Sequence, residues 1–257
     1  MEVPDESDLQ GDNFRVTHES IYLFWDDVGR FKLTKGKEVV IDPHPEVDEY
    51  LLSMFLTGSV LALTLNQRGY HLIHASCVKV DGYAVAFLGG SGYGKSTLAN
   101  YFYKNGYPVV ADDYVALTLK GDVAVVTPGF PTLKLSPQYI DIMKIDPDDV
   151  LRTEHDLKSN YVHAGNGFSG EELILKGLYI IDPGEPLSLR KLDKQEAMEN
   201  LLRYSYAIKV LTNPQKVENL KNNALLIKNT NLNLLTVPRD LEVLEQVYQM
   251  VLEDLRK

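Results

Sequence analysis

The chain has 257 residues, 44% hydrophobic and 24% charged, with a net charge of −10 and a pI of about 5.1. Such a chain can bury one large core, or one domain with a small annex, and the absence of a long basic block argues against nucleic acid as a partner. Its single cysteine, Cys77, lies in an apolar run, which excludes an internal disulfide or a cluster of cysteine metal ligands and reads as a structural thiol.

Residues 1–12 are acidic and polar, unlike a signal or transit peptide, and are expected to form a disordered tail. Residues 14–25 mix β-branched and aromatic side chains as strands do. Asp26-Asp27-Val28-Gly29 reads as a turn, and residues 30–41 as one or two further strands around Lys35-Gly36. Asp42-Pro43-His44-Pro45 breaks the pattern. A helix is then expected from about Glu46 to Asn66, with Glu46, Asp48 and Glu49 at the positive end of its dipole. Its most apolar part, residues 51–65, is too short to span a bilayer and is flanked by charges, so a core helix in a cytoplasmic protein with no membrane partner is expected. Residues 13–70 are thus an N-terminal β segment plus helix, packed on a domain of residues 71–257.

That domain begins with two strand-like runs, 71–80 and 83–88, around the hairpin signal Asp81-Gly82. A helix over 96–104 and a strand over 107–111 follow, then a second hairpin (114–119, 122–127) and the rigid loop Pro128-Gly129-Phe130-Pro131. Residues 132–135 read as a strand and 137–143 as a short helix. Residues 152–172 are polar, contain Gly165, Gly167 and Gly170, and show no period. They are expected to form either a solvated loop or a mobile lid in which Lys158 brings positive charge to a bound phosphate. A strand (173–181), helices (195–211 and 214–223), a strand (232–237) and a final helix (239–255) complete the chain.

Between the second strand and the first helix of this domain lies Gly89-Gly90-Ser91-Gly92-Tyr93-Gly94-Lys95-Ser96-Thr97. The spacing, a glycine, four residues, then Gly-Lys-Ser, is that of a phosphate-binding loop in its required strand–loop–helix setting. Glycines let backbone amides close on an anion, and the helix N-terminus adds its dipole. Lys95 supplies a charge for the outer phosphates, and the Ser96 hydroxyl can ligate Mg²⁺.

Asp112 and Asp113 follow Ser96 after 15 residues, room for one helix and one short strand. That returns the pair beside the loop at the C-terminal edge of a sheet, where such folds bind ligands. One carboxylate can hold Mg²⁺ and the other can accept a proton from an attacking hydroxyl. His74 ends a strand-like run and reads as a hydrogen-bonded core histidine, as a group orienting a carboxylate, or as both.

From His74 to Leu117 the chain resembles HPr kinase/phosphorylase and its shorter relatives. The shared parts are His74-Ala75-Ser76, Asp81-Gly82, the apolar strand Ala84–Leu88, the loop from Gly89 to Ser96, and Ala111-Asp112-Asp113. Pro128–Pro131 and Gly177–Ile181 look like the short relatives as well. The resemblance implies a P-loop kinase fold related to ATP-dependent phosphoenolpyruvate carboxykinase, an α/β fold with a mixed sheet flanked by helices. It implies ATP and Mg²⁺ as cofactors, Asp112 as general base toward a serine hydroxyl, His74 assisting it, and Ser96 and Asp113 near the metal. Where the family carries Glu-Ile-Arg-Gly, this chain has Ile174-Leu175-Lys176-Gly177; Glu172 is the expected substitute for the missing metal-binding Glu.

The expected activity is therefore transfer of the γ-phosphate of ATP to a serine of a peptide or small protein. Full-length HPr kinases carry a long N-terminal domain with no counterpart here, so HPr itself and phosphorylase activity are not expected. Some short relatives phosphorylate the C-terminal serine of a lasso-peptide precursor, and this chain is compatible with that group. Two other readings stay open: a nucleotide-binding regulatory module with little turnover, and a small-molecule kinase of the same fold. Self-association, as a homo-oligomer, is open too. A GTPase is not expected, since no Asn-Lys-x-Asp motif occurs.

Overall fold

Five short strands open the chain in the computed structural model, which describes residues 1–151, 160–206 and 208–257. They are β1 (Leu9–Gly11), β2 (Phe14–Val16), β3 (Ser20–Trp25), β4 (Gly29–Thr34) and β5 (Glu38–Pro43), paired antiparallel in sequence order. Alternation along β4 puts Phe31 and Leu33 in the core and Arg30 outside. Leu9–Gly11 thus belongs to a sheet, whereas a disordered tail was expected over residues 1–12. The polar composition of the first eight residues hides a three-residue strand paired with Phe14–Val16.

The expected single helix is interrupted. α1 (Glu49–Phe55) and α2 (Leu61–Gln67) are joined by a π-helical turn, Leu56–Val60, where Gly58 leaves helical geometry. By length and composition Glu49–Gln67 is apolar enough to cross a bilayer, with a mean hydropathy of 1.2. It is not the enclosed core helix that its sequence suggests: α1 buries no residue fully. It lays one side on the sheet, with Phe55 against Trp25 at 4.6 Å between ring centroids and Val60 and Leu63 buried. This first unit comprises Met1–Leu72 together with Tyr206–Leu220.

The second unit comprises Ile73–Ser205 and Lys221–Lys257. Beyond β6 (His71–Ile73), its strands are β7 (Ala75–Val80), β8 (Tyr83–Leu88), β9 (Val109–Ala111), β10 (Val115–Lys120), β11 (Val123–Thr127), β12 (Thr132–Leu135), β13 (Val150–Leu151), β14 (Asn160–His163), β15 (Leu173–Pro183), β16 (Ser188–Lys191) and β17 (Asn231–Val237). Its helices are α3 (Lys95–Lys104), α4 (Pro137–Ile142), α5 (Lys194–Arg203) and α7 (Leu244–Leu255), and α6 (Asn213–Asn229) runs into it. The main sheet follows the order β10-β11-β15-β8-β7-β9, with β17 beside β15 and β16 beside β17. β8, β15 and β17 are parallel; β7 opposes β8, and β9 opposes β7. β9 therefore runs with β8, and the C-terminal ends of β8, β9, β15 and β17 share one edge of the sheet. The chain is α/β, a mixed sheet flanked by helices, with a separate N-terminal β-sheet.

Period-two alternation along β8 sorts its side chains to opposite faces. Val85 and Phe87 join Phe102 of α3 and Val247, Tyr248 and Val251 of α7. Ala84, Ala86 and Leu88 join Ala197 and Leu201 of α5 and Leu226 of α6. Phe102 is fully buried, with its ring 5.3 Å from Phe87, 5.6 Å from Tyr107 and 4.9 Å from Tyr248. Phe102→Ala is expected to cost about 3–5 kcal/mol, read as a lower midpoint in urea unfolding. Its helix carries the phosphate loop, so a small loss would mean that α3 is not anchored as described.

Residues 160–172 contain more order than their composition suggests. β14 pairs with both β12 and β13, in a three-stranded sheet ordered β12-β14-β13. Lys158 and the rest of residues 152–159 lie outside the described residues.

Candidate active site

β8 is buried from Ala84 to Leu88 and ends directly in the loop. Gly92 and Gly94 adopt φ of +77° and +95°, a region that L side chains rarely enter, which is the local reason for glycine at both places. At Gly90 the reason is space: a Cβ there would meet the Tyr93 ring at 2.9–3.1 Å. Gly94 caps α3, whose first turn carries Lys95, Ser96 and Thr97. The Lys95 ammonium, 7% exposed as a residue, donates to the carbonyls of Gly89 and Gly90 at 3.1 Å each. Burial lowers its pKa, and the nearby carboxylates of Asp112 and Asp113 pull it back up.

β9 delivers Asp112 and Asp113 to the same edge as the loop. Asp112 is enclosed by donors: Ser96 Oγ at 2.9 Å and Ser76 Oγ both donate to its Oδ1, and the Lys134 amide donates to its Oδ2 at 2.7 Å. Desolvation pushes its pKa up, the Lys134 amide and Ser76 pull it down, the charge of Asp113 raises it, and Ser96 lowers it; the balance lies above the ordinary carboxylate value. Asp113 is placed differently. It turns through a left-handed backbone, φ +69°, and its side chain is 41% exposed. Its Oδ1 lies 3.9 Å from Nδ1 of His74.

His74 is fixed through its backbone, whose N–H donates to the Tyr204 carbonyl at 2.8 Å. Its imidazole pKa lies below the ordinary value: desolvation and the positive charge of Lys95 lower it, and Asp113 offsets part of that. His74, Asp113, Lys95, Ser96, Lys134 and the loop residues Ser91, Gly92 and Gly94 line one cavity of about 430 Å³. A second cavity of about 330 Å³ continues from Gly92, Gly94, Thr97 and Ser136 between Tyr93, Tyr139, Ile181, Pro183 and Leu244.

The structure brings together the loop residues 89–97, His74, Asp112 and Asp113. It does not bring Glu172 to them. The loop follows Leu88, which pairs with Ile180. Glu172 precedes the other end of β15, roughly 25 Å away at 3.3 Å per residue. There it pairs with Lys120 at 3.2 Å, and Ile174 is 48% exposed. Position along the strand therefore removes Glu172 from the metal-ligand set. Two residues had no role assigned from the sequence: Ser76, named only as part of the shared His74-Ala75-Ser76, and Lys134. Ser76 lies two residues from His74, so strand alternation alone could have drawn attention to it. Lys134 carried no local signal, because its contact with Asp112 runs through the backbone.

For Mg²⁺ the chain offers the Ser96 hydroxyl and the carboxylates of Asp112 and Asp113. Among the described residues no three His, Cys, Asp or Glu side chains form a metal centre. So sparse a set fits Mg²⁺, which keeps several waters and relies on substrate phosphates, better than it fits a resident transition metal.

These elements set a glycine-rich loop with phosphate-loop spacing between a strand and a helix, at one edge of the sheet of an α/β domain. A relative carries the expected resemblance: the HPr kinase/phosphorylase of Prosthecochloris aestuarii (strain DSM 271 / SK 413) is 38% identical over 80 residues, 31% of this chain and 22% of the relative. The match thus spans about a fifth of the curated relative's length. The solved structure of the Hpr(Ser) kinase/phosphatase from Coxiella burnetii aligns with 71% of this chain and 89% of that chain, at 12% identity and a TM-score of 0.42. No family model matches. Over those 80 residues the chain is similar to HPr kinase/phosphorylase.

Proposed function

We propose that this chain is an ATP- and Mg²⁺-dependent kinase that transfers the γ-phosphoryl group to a serine hydroxyl of a peptide or protein. One observation carries the reading. A single cavity joins the phosphate loop to a carboxylate–imidazole pair, Asp113 with His74, while Asp112 is held behind Ser96. The adjoining cavity, walled by Tyr93, Ile181, Pro183 and Leu244, supports a nucleoside triphosphate as donor, since it offers apolar walls for a base.

In this reading the loop and Lys95 hold the outer phosphates. When bound, Mg²⁺ offsets phosphate charge, and Ser96 would hold it, with Asp112 behind Ser96 reaching it through water. Asp113 accepts the proton of the acceptor hydroxyl as that oxygen bonds to the γ-phosphorus. The bond from the γ-phosphorus to the bridging oxygen breaks, and its electron pair leaves with ADP. His74 orients Asp113. This exchanges the roles that the family resemblance assigns within the pair, because both oxygens of Asp112 are already occupied by donors. A C-terminal serine of a lasso-peptide precursor is a narrower form of the same proposal, as is a cytoplasmic location.

The lowered pKa of His74 sets a pH dependence. The ring is neutral at pH 7 and charges only below its ordinary value of about 6.5. Transfer is expected to stay level above about pH 6.5 and to decline on the acid side. In His74→Asn that acid limb should shift or vanish; an unchanged limb would show that another group sets it.

A regulatory module with little turnover is favoured by Ile174, which stands where the family carries its metal-binding Glu. Calorimetric titration with Mg²⁺–ATP, followed by single-turnover mixing with a Ser-terminated peptide, separates the two. The kinase reading expects binding and transfer; binding without transfer to any hydroxyl supports the module.

A further inference from the structure

The role of a second cation at the transferred phosphate was expected of Lys158. The structure draws attention instead to Lys134. β12 alternates: Leu133 and Leu135 point into the core at 1% exposure each, so Lys134 faces the other way, toward the site. Its side chain lines the cavity that holds Lys95, Ser96, His74 and Asp113. Tyr161, its partner across β14, sits under the ammonium at 5.7 Å from the ring centroid. The charge of Lys134 is also felt at His74, where it helps lower the imidazole pKa.

The site's charges show what that position can do. Asp112 and Asp113 place two negative groups beside the phosphate, with Lys95 on the loop side. During transfer, charge spreads over the equatorial oxygens of the moving phosphoryl group and builds on the leaving oxygen. Lys95 alone leaves the acceptor side negative, which repels the group as it approaches Asp113. A second cation on that wall removes the repulsion where it is greatest.

We propose that Lys134 is a catalytic residue that contacts the transferred phosphoryl group from the acceptor side. The inference rests on the kinase reading above, in which the acceptor oxygen bonds to the γ-phosphorus, ADP leaves, and the hydroxyl proton goes to Asp113. Lys134 gains and loses no proton in the step.

The backbone makes the test clean. The amide that holds Asp112 survives any substitution except proline, so Lys134→Met removes the ammonium and keeps the anchor. Affinity is measured for Mg²⁺–ADP alone and for Mg²⁺–ADP with aluminium fluoride, which mimics the phosphoryl group in flight. The expected result is unchanged ADP affinity and roughly 10²-fold weaker binding of the aluminium fluoride complex, as for loss of one transition-state donor. Lys134→Arg should restore most of it. Equal weakening of both complexes would mark a structural role and overturn the proposal. Unchanged binding of both would also overturn it, with or without a raised KM for peptide, since that rise would mean Lys134 clamps the acceptor. A wild-type protein that binds neither complex would instead overturn the phosphate-loop reading itself.

Discussion

Lys95→Ala will abolish phosphoryl transfer and weaken Mg²⁺–ATP binding by roughly 10²-fold or more. The ammonium is the cation built into the loop, at the foot of α3 and against the Gly89 and Gly90 carbonyls. Burial already lowers its pKa, so the protein bears a cost to keep a charge there. The Asp112 and Asp113 carboxylates offset part of that cost, and an anion entering the loop offsets more. The fold should tolerate the change, because removal of a desolvated charge relieves that penalty. Calorimetry with Mg²⁺–ATP, alongside urea unfolding of both proteins, checks it. Equal affinity and equal turnover would remove the loop from the active site.

The second large effect divides the aspartate pair. Asp113→Asn keeps the shape of the residue and removes the proton acceptor, so kcat is expected to fall by about 10²–10⁴-fold with ATP affinity intact. Asp112→Asn should act otherwise. An amide nitrogen in that enclosure would face Ser76, Ser96 and the Lys134 amide, all of which donate to the carboxylate. At least one donor loses its acceptor, at a cost of about 1–3 kcal/mol in stability. Mg²⁺–ATP binding should weaken as well. Steady-state kinetics, binding and unfolding on the two variants decide the assignment. The opposite pattern, with Asp112→Asn stable, able to bind ATP and inert, would return the base to Asp112.

Much of this site was legible before any coordinates. The loop spacing needs only a strand before it and a helix after it, and β8 and α3 supply both. The short return from Ser96 fixes Asp112 and Asp113 at the same sheet edge, because β9 runs with β8. What the one-dimensional pattern could not carry was depth and direction. The left-handed turn at Asp113 swings it outward, and Ser76 closes over Asp112; neither follows from spacing. Glu172 was misplaced for a related reason. Face along β15 follows from parity, but distance from the loop follows from register, which only the pairing of Ile180 with Leu88 reveals. The broken helix at Gly58 was hidden because the flanking residues keep a helical pattern through the π turn. In residues 152–172, the polar segment Asn160–His163 is a strand because β12 supplies a partner edge, not because of its own composition.

The most direct measurement incubates the wild-type protein with Mg²⁺–ATP and three acceptors, read by mass spectrometry. These are a Ser-terminated peptide, the same peptide ending in Ala, and HPr. Gain of one phosphoryl group by the Ser peptide, with none on the Ala peptide and none from Asp113→Asn, is the predicted result. A gain on HPr alone, or on the Ser and Ala peptides alike, would contradict it.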